Sequence, residues 1–112
     1  MTEYQINPKY KHLEKEILSL PERFKTEGEV IYTGRNILKV IECGGMPMCI
    51  KSFKTPHFIN KIAYAHLRKS KAERSFLYAT RFLNLNVSTP EPIAYILHKD
   101  SIGLTRSYYI CE

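Results

Sequence analysis

At 112 residues, 44% of them hydrophobic, the chain has enough apolar material for one small domain and too much for a disordered segment. Seventeen basic against eleven acidic residues give a formal charge of +6, which favours anionic partners without choosing among nucleotide phosphates, nucleic acid and acidic lipid headgroups. The three cysteines, Cys43, Cys49 and Cys111, form no C-x-x-C pair and imply neither a zinc site nor a disulfide framework, and no apolar run approaches the roughly 20 residues of a membrane span. These features suggest reduced thiols in a cytoplasmic protein, with any contact with the inner membrane being peripheral.

Residues 1–8 read as a loose lead-in, with Pro8 placed to precede a helix. From Lys9 to Leu20 the residues Leu13, Ile17, Leu18 and Leu20 fall near helical spacing, and Lys11, Glu14, Lys15 and Glu16 cover the other side. The pattern predicts a packing helix stopped by Pro21. Residues 1–27 are therefore set apart as an N-terminal helical extension and 28–112 as the main domain.

From Gly28 the period changes. Val30 to Thr33 predicts a strand, Gly34-Arg35-Asn36 a turn, Ile37 to Cys43 a second strand, Gly44-Gly45 a second turn, and Met48 to Phe53 a third strand. Two tight turns joining three strands make an antiparallel meander. Alternation puts Cys49, Lys51 and Phe53 on one face and Met48, Ile50 and Ser52 on the other. Lys51 thus points with two apolar neighbours towards a covered face, where an ammonium needs an anion or a route to solvent. The plainer alternative is an edge-strand lysine that snorkels outward.

After Thr55-Pro56, the residues Phe58, Ile59, Ile62, Ala63 and Leu67 predict helix. A second register begins at Ser70, with Ala72, Phe76, Ala79 and Leu83 forming a stripe that should face the sheet. Two readings of Glu73 stand. It borders the inward stripe and is the only acid between Lys51 and Glu91, which suits it to pair with Lys51; it also completes a capping box, Ser70-Lys71-Ala72-Glu73, in which it turns back to the helix start. The helix should end at Asn84 to Asn86. Thr89-Pro90-Glu91-Pro92 is a rigid extended linker, and strands from Pro92 to Leu97 and Leu104 to Cys111 flank a turn from His98 to Gly103.

The lysine strand CIKSF, the helix RKSKAERSFLYATRFL and the passage NVSTPEPIAYI resemble the N-terminal lobe of the protein kinase-like fold. More narrowly, they resemble the lipopolysaccharide kinase family of bacterial heptose and Kdo kinases, over about residues 29–112. The resemblance implies an α+β fold, a five-stranded antiparallel sheet with one packed αC-type helix. It implies that Lys51 contacts the α- and β-phosphates of ATP, that Cys49 lines the adenine pocket, and that Glu73 is the helix acid paired with the lysine. Gly34 and Arg35 would belong to the phosphate-covering turn, which keeps only Gly34 of the usual glycine pattern, and Tyr109 to Glu112 would begin the hinge at the adenine edge. The catalytic and Mg²⁺-holding aspartates belong to a C-terminal lobe and are not located here, so the expectation is a fragment inactive by itself.

The function implied is ATP-dependent phosphorylation of a lipopolysaccharide core sugar in the complete enzyme. Two other classes compete. His66, Arg68, Lys69, Lys71 and Arg74, with Tyr64 and Tyr78 nearby, make a basic segment for nucleic acid or acidic lipid, although a solvated helix face explains such a run more economically. A degenerate kinase-like scaffold is the third reading. An isolated lobe would also expose apolar surface that favours self-association.

Overall fold

The computed structural model describes residues 2–34, 36–53, 70–86, 88–99 and 104–112. The strands are β1 (Thr2–Ile6), β2 (Glu29–Thr33), β3 (Asn36–Cys43), β4 (Met46–Phe53), β5 (Pro92–Lys99) and β6 (Leu104–Cys111). They form one six-stranded sheet in the order β1-β5-β6-β4-β3-β2, and every neighbouring pair is antiparallel. The expected meander is β2-β3-β4. Gly44 and Gly45 turn its second corner, both at positive φ, a conformation that glycine adopts without a Cβ penalty.

The sixth strand corrects the five expected. Residues 2–6 are not a lead-in but strand β1, which pairs with β5 from Thr2 opposite His98 to Ile6 opposite Ala94. Only Ile6 of β1 is buried, so the sequence carries no apolar alternation there. Its extended state comes from backbone pairing with the otherwise open edge of β5, supported by an ion pair from Lys99 to Glu3.

The N-terminal helical region also departs from one helix ending at Pro21. It is a 3₁₀ turn (Pro8–Leu13), then α1 (Glu14–Leu18) and α2 (Leu20–Arg23). Asn7 caps the 3₁₀ turn: its side-chain oxygen accepts from the Lys9 N–H at 3.1 Å while its amide donates to the Pro92 carbonyl at 2.8 Å. The break falls at Ser19, whose hydroxyl donates to the Glu16 carbonyl at 2.6 Å and competes with the helical ladder. Pro21 then sits in the first turn of α2, where its missing N–H leaves no bond unmade.

Strand alternation divides the interior into two layers. On one face Met48 and Ile50 of β4 pack with Ile96, Tyr108 and Ile110 beneath Ile17, Leu20 and Phe24. Residues before Gly28 therefore share a core with the sheet. On the other face α3 (Lys71–Asn84) lays Ala72 and Phe76 against Tyr95, Leu97, Tyr109 and Cys111, with Cys49 and Phe53 alongside. The alternation read from β4 holds on both faces.

Helix α3 starts where the sequence places it. The Ser70 hydroxyl accepts from the Glu73 N–H at 3.1 Å, and Asn86 at φ 62° closes the other end. The inward stripe stops at Ala79, because Leu83 is 37% exposed. The last turn runs beyond the surface that the helix covers. The helical reading of Phe58, Ile59, Ile62, Ala63 and Leu67 lies outside the described residues, as do Tyr64, His66, Arg68, Lys69 and the turn at 100–103.

Candidate functional site around Lys51

The site is built on the α3 face of the sheet. In β4, Lys51 lies between Cys49 and Phe53 in the same alternation and is half-buried. Its cross-strand neighbours are Leu38 of β3 and Tyr109 of β6, and Tyr109 in turn lies opposite Tyr95 of β5. Leu38, Lys51, Tyr109 and Tyr95 thus make one transverse row. One register step along, Cys49 lies opposite Cys111. A single cation therefore stands among aliphatic, aromatic and thiol groups.

The Lys51 ammonium lies 5.9 Å from the Tyr109 ring centroid, at the outer limit of a cation–π contact. The ion pairs among the described residues are elsewhere: Lys9–Glu91, Lys11–Glu14, Arg23–Glu27, Lys25–Glu22 and Lys99–Glu3. Lys51 thus has no carboxylate at ion-pair distance among them.

Glu73 lies at the other end of the row. Its carboxylate is felt at Tyr95, whose hydroxyl is raised above the ordinary phenol range first by burial and then by Glu73 and Glu3. The same hydroxyl donates to the Gln5 side-chain oxygen at 3.4 Å, and the Phe76 ring meets Tyr95 edge-on at 5.4 Å. Along the row Tyr109 lies between Tyr95 and Lys51, which are two strand spacings apart, about 10 Å. The Ser70 hydroxyl takes the Glu73 N–H, which is the N-cap half of the capping box.

No family model, curated protein or solved structure matches this chain. No helix among the described residues is long and apolar enough to cross a membrane.

The remaining sequence candidates are distributed around this row. Gly34 is in the turn between β2 and β3, with its N–H donating to the Asn36 carbonyl at 3.0 Å. The Tyr32 hydroxyl is folded so close to it that a Cβ on residue 34 would lie 2.5 Å away, so the glycine permits this approach. Arg35 lies outside the described residues. Glu112, just past β6, donates its N–H to the Glu91 carbonyl at 3.1 Å.

Helix α3 packs over β5 and β6 and reaches only the near side of β4. Beyond it, Val30, Ile31 and Tyr32 of β2 are each a little over half exposed. Among the described residues, α3 is the element packed over Cys49 and Phe53 on this face of β4. Burial raises the Tyr109 hydroxyl far above the ordinary phenol range, with smaller contributions from Cys111 and Cys49. At neutral pH, Tyr109 is therefore a neutral neighbour of Lys51.

The placement of Leu38, Tyr109 and Tyr95 in one row with Lys51 escaped the sequence reading. Alternation shows which residues of one strand share a face, but not which strand lies beside it. That β6 returns between β4 and β5 is decided by long-range pairing.

Proposed function

We propose that this chain is the nucleotide-binding lobe of an ATP-dependent kinase acting on a lipopolysaccharide core sugar, heptose or Kdo. One observation carries the reading: Lys51 sits half-buried on a central strand, without a carboxylate partner among the described residues, on the face where α3 packs. That is where a nucleotide phosphate would find a half-buried cation to pair with. The motif resemblance supplies the choice of kinase and acceptor. ATP, when bound, supplies the transferable phosphoryl group.

In this reading Lys51 neutralises phosphate charge, and the apolar surface of Leu38, Cys49 and Tyr109 receives the base and excludes water. The turn at Gly34 and Arg35 covers the phosphates, and residues 109–112 meet the adenine edge. Glu73, whose N–H is held by the Ser70 hydroxyl at the start of α3, is the helix acid that would pair with Lys51. Mg²⁺ and the acceptor sugar are assigned to a second lobe outside these 112 residues. These 112 residues alone should show no phosphotransfer.

The test is an ATP titration followed by backbone amide resonances of the 112-residue protein. Shifts concentrated at Leu38, Cys49, Lys51 and Glu112 are expected. Shifts confined to the start of α3, around Lys71 and Arg74, would instead favour a basic anion-binding helix and overturn the assignment.

A further inference from the structure

We propose that Cys49 and Cys111 are an oxidisable thiol pair that a hydroperoxide converts to an intrachain disulfide joining β4 to β6. The two cysteines are direct register partners in adjacent antiparallel strands, so their side chains project to the same face. Both belong to the apolar layer under α3. Opposed residues in an antiparallel pair have Cα atoms about 4.5–5.5 Å apart, whichever hydrogen-bonding type the pair has, and this lies inside the range of about 4.4–6.8 Å that a disulfide spans. Closing the bond therefore needs side-chain rotation and no shift of register. All three thiols are free, and Cys43 belongs to the layer on the opposite face, where the sheet itself keeps it from the pair.

The two thiols differ in access. Cys49 is half-buried and Cys111 buried. Burial pushes the Cys111 thiol up to about 11, with Cys49 adding to the rise and Lys51 opposing it. Cys111 thus stays protonated at neutral pH, and Cys49 meets the oxidant. The Cys49 thiolate attacks the hydroperoxide; the O–O bond breaks, an S–O bond forms, and the departing alkoxide takes up the thiol proton. The Cys111 sulfur then attacks the sulfenic sulfur; the S–S bond forms, the S–O bond breaks, and hydroxide leaves with the Cys111 proton as water. Two thiols and one hydroperoxide give one disulfide, one alcohol and one water. This inference does not depend on the nucleotide reading.

The experiment exposes the purified chain to hydrogen peroxide, quenches with an alkylating agent, and compares intact mass with non-reducing peptide maps. The monomer should become lighter by two hydrogens, and its alkylatable thiols should fall from three to one, the survivor being Cys43. A linked peptide pair should contain Cys49 and Cys111 and separate on treatment with dithiothreitol. In Cys111→Ser a dimedone-reactive sulfenic acid should persist on Cys49. Should that variant fail to fold, the wild-type peptide map decides alone. Sulfinic acid on Cys49 with Cys111 still alkylatable, interchain dimers, or a link through Cys43 would each overturn the proposal.

Discussion

Replacing Phe76 by alanine should loosen α3 from the sheet, and the size of the effect follows from its surroundings. Phe76 is 4% exposed, meets the Tyr95 ring edge-on at 5.4 Å, and shares its layer with Leu97, Tyr109 and Cys111. Truncating such a residue removes its transfer energy and leaves a cavity, together about 3–5 kcal/mol. A domain of 112 residues has a stability of roughly 6–17 kcal/mol at about 0.05–0.15 kcal/mol per residue, so the variant should fold with much of its margin gone. With a urea slope of about 2 kcal/mol per molar, the unfolding midpoint should fall by about 2 M. Tyr78→Ala is the control, because Tyr78 is 53% exposed on the same helix, and its change should stay within about 0.5 kcal/mol. A loss below about 1 kcal/mol in Phe76→Ala, with an unchanged slope, would refute the claim that this ring docks α3.

Asn7→Ala removes both the acceptor for the Lys9 N–H and the donor to the Pro92 carbonyl, and should cost about 1–2 kcal/mol in the same urea assay. A neutral result would show that the contact ties nothing down. His98 should make stability fall on mild acidification. Burial, followed by neighbouring positive charge that includes Arg106 and Lys25, lowers its folded value from 6.5, so the unfolded chain binds the proton first. Stability is then unaffected above the unfolded value and declines as pH falls from about 6.5 towards the folded one. His98→Gln should flatten that segment of the stability profile, and an unchanged slope would contradict the assignment.

Much of the fold is legible in local chemistry. The glycines at 44 and 45 mark a hairpin because their backbone needs positive φ, and alternation in β4 separates Met48 and Ile50 from Cys49 and Phe53 as the two core layers do. Ser70 announces α3 because a hydroxyl there satisfies an otherwise orphaned N–H. What escapes local reading depends on distant partners. Strand β1 exists because β5 offers it an edge, and Leu83 is exposed because the helix extends past its support. The opposition of Cys49 and Cys111 follows from β6 returning beside β4, which no spacing in either strand encodes. The position of Lys51 was readable, but the tyrosine row beside it was not.

Calorimetric titration of the chain and of Lys51→Met, each with ATP and with adenosine, tests the central claim most directly. The two ligands share a base and differ in phosphate charge, so a phosphate-binding lysine should make ATP the tighter ligand by at least about tenfold, equivalent to about 1.4 kcal/mol. Lys51→Met should remove that preference while leaving adenosine binding nearly unchanged. Equal affinities for the two ligands in the unaltered chain, or an ATP preference that survives the substitution, would contradict the role given to Lys51.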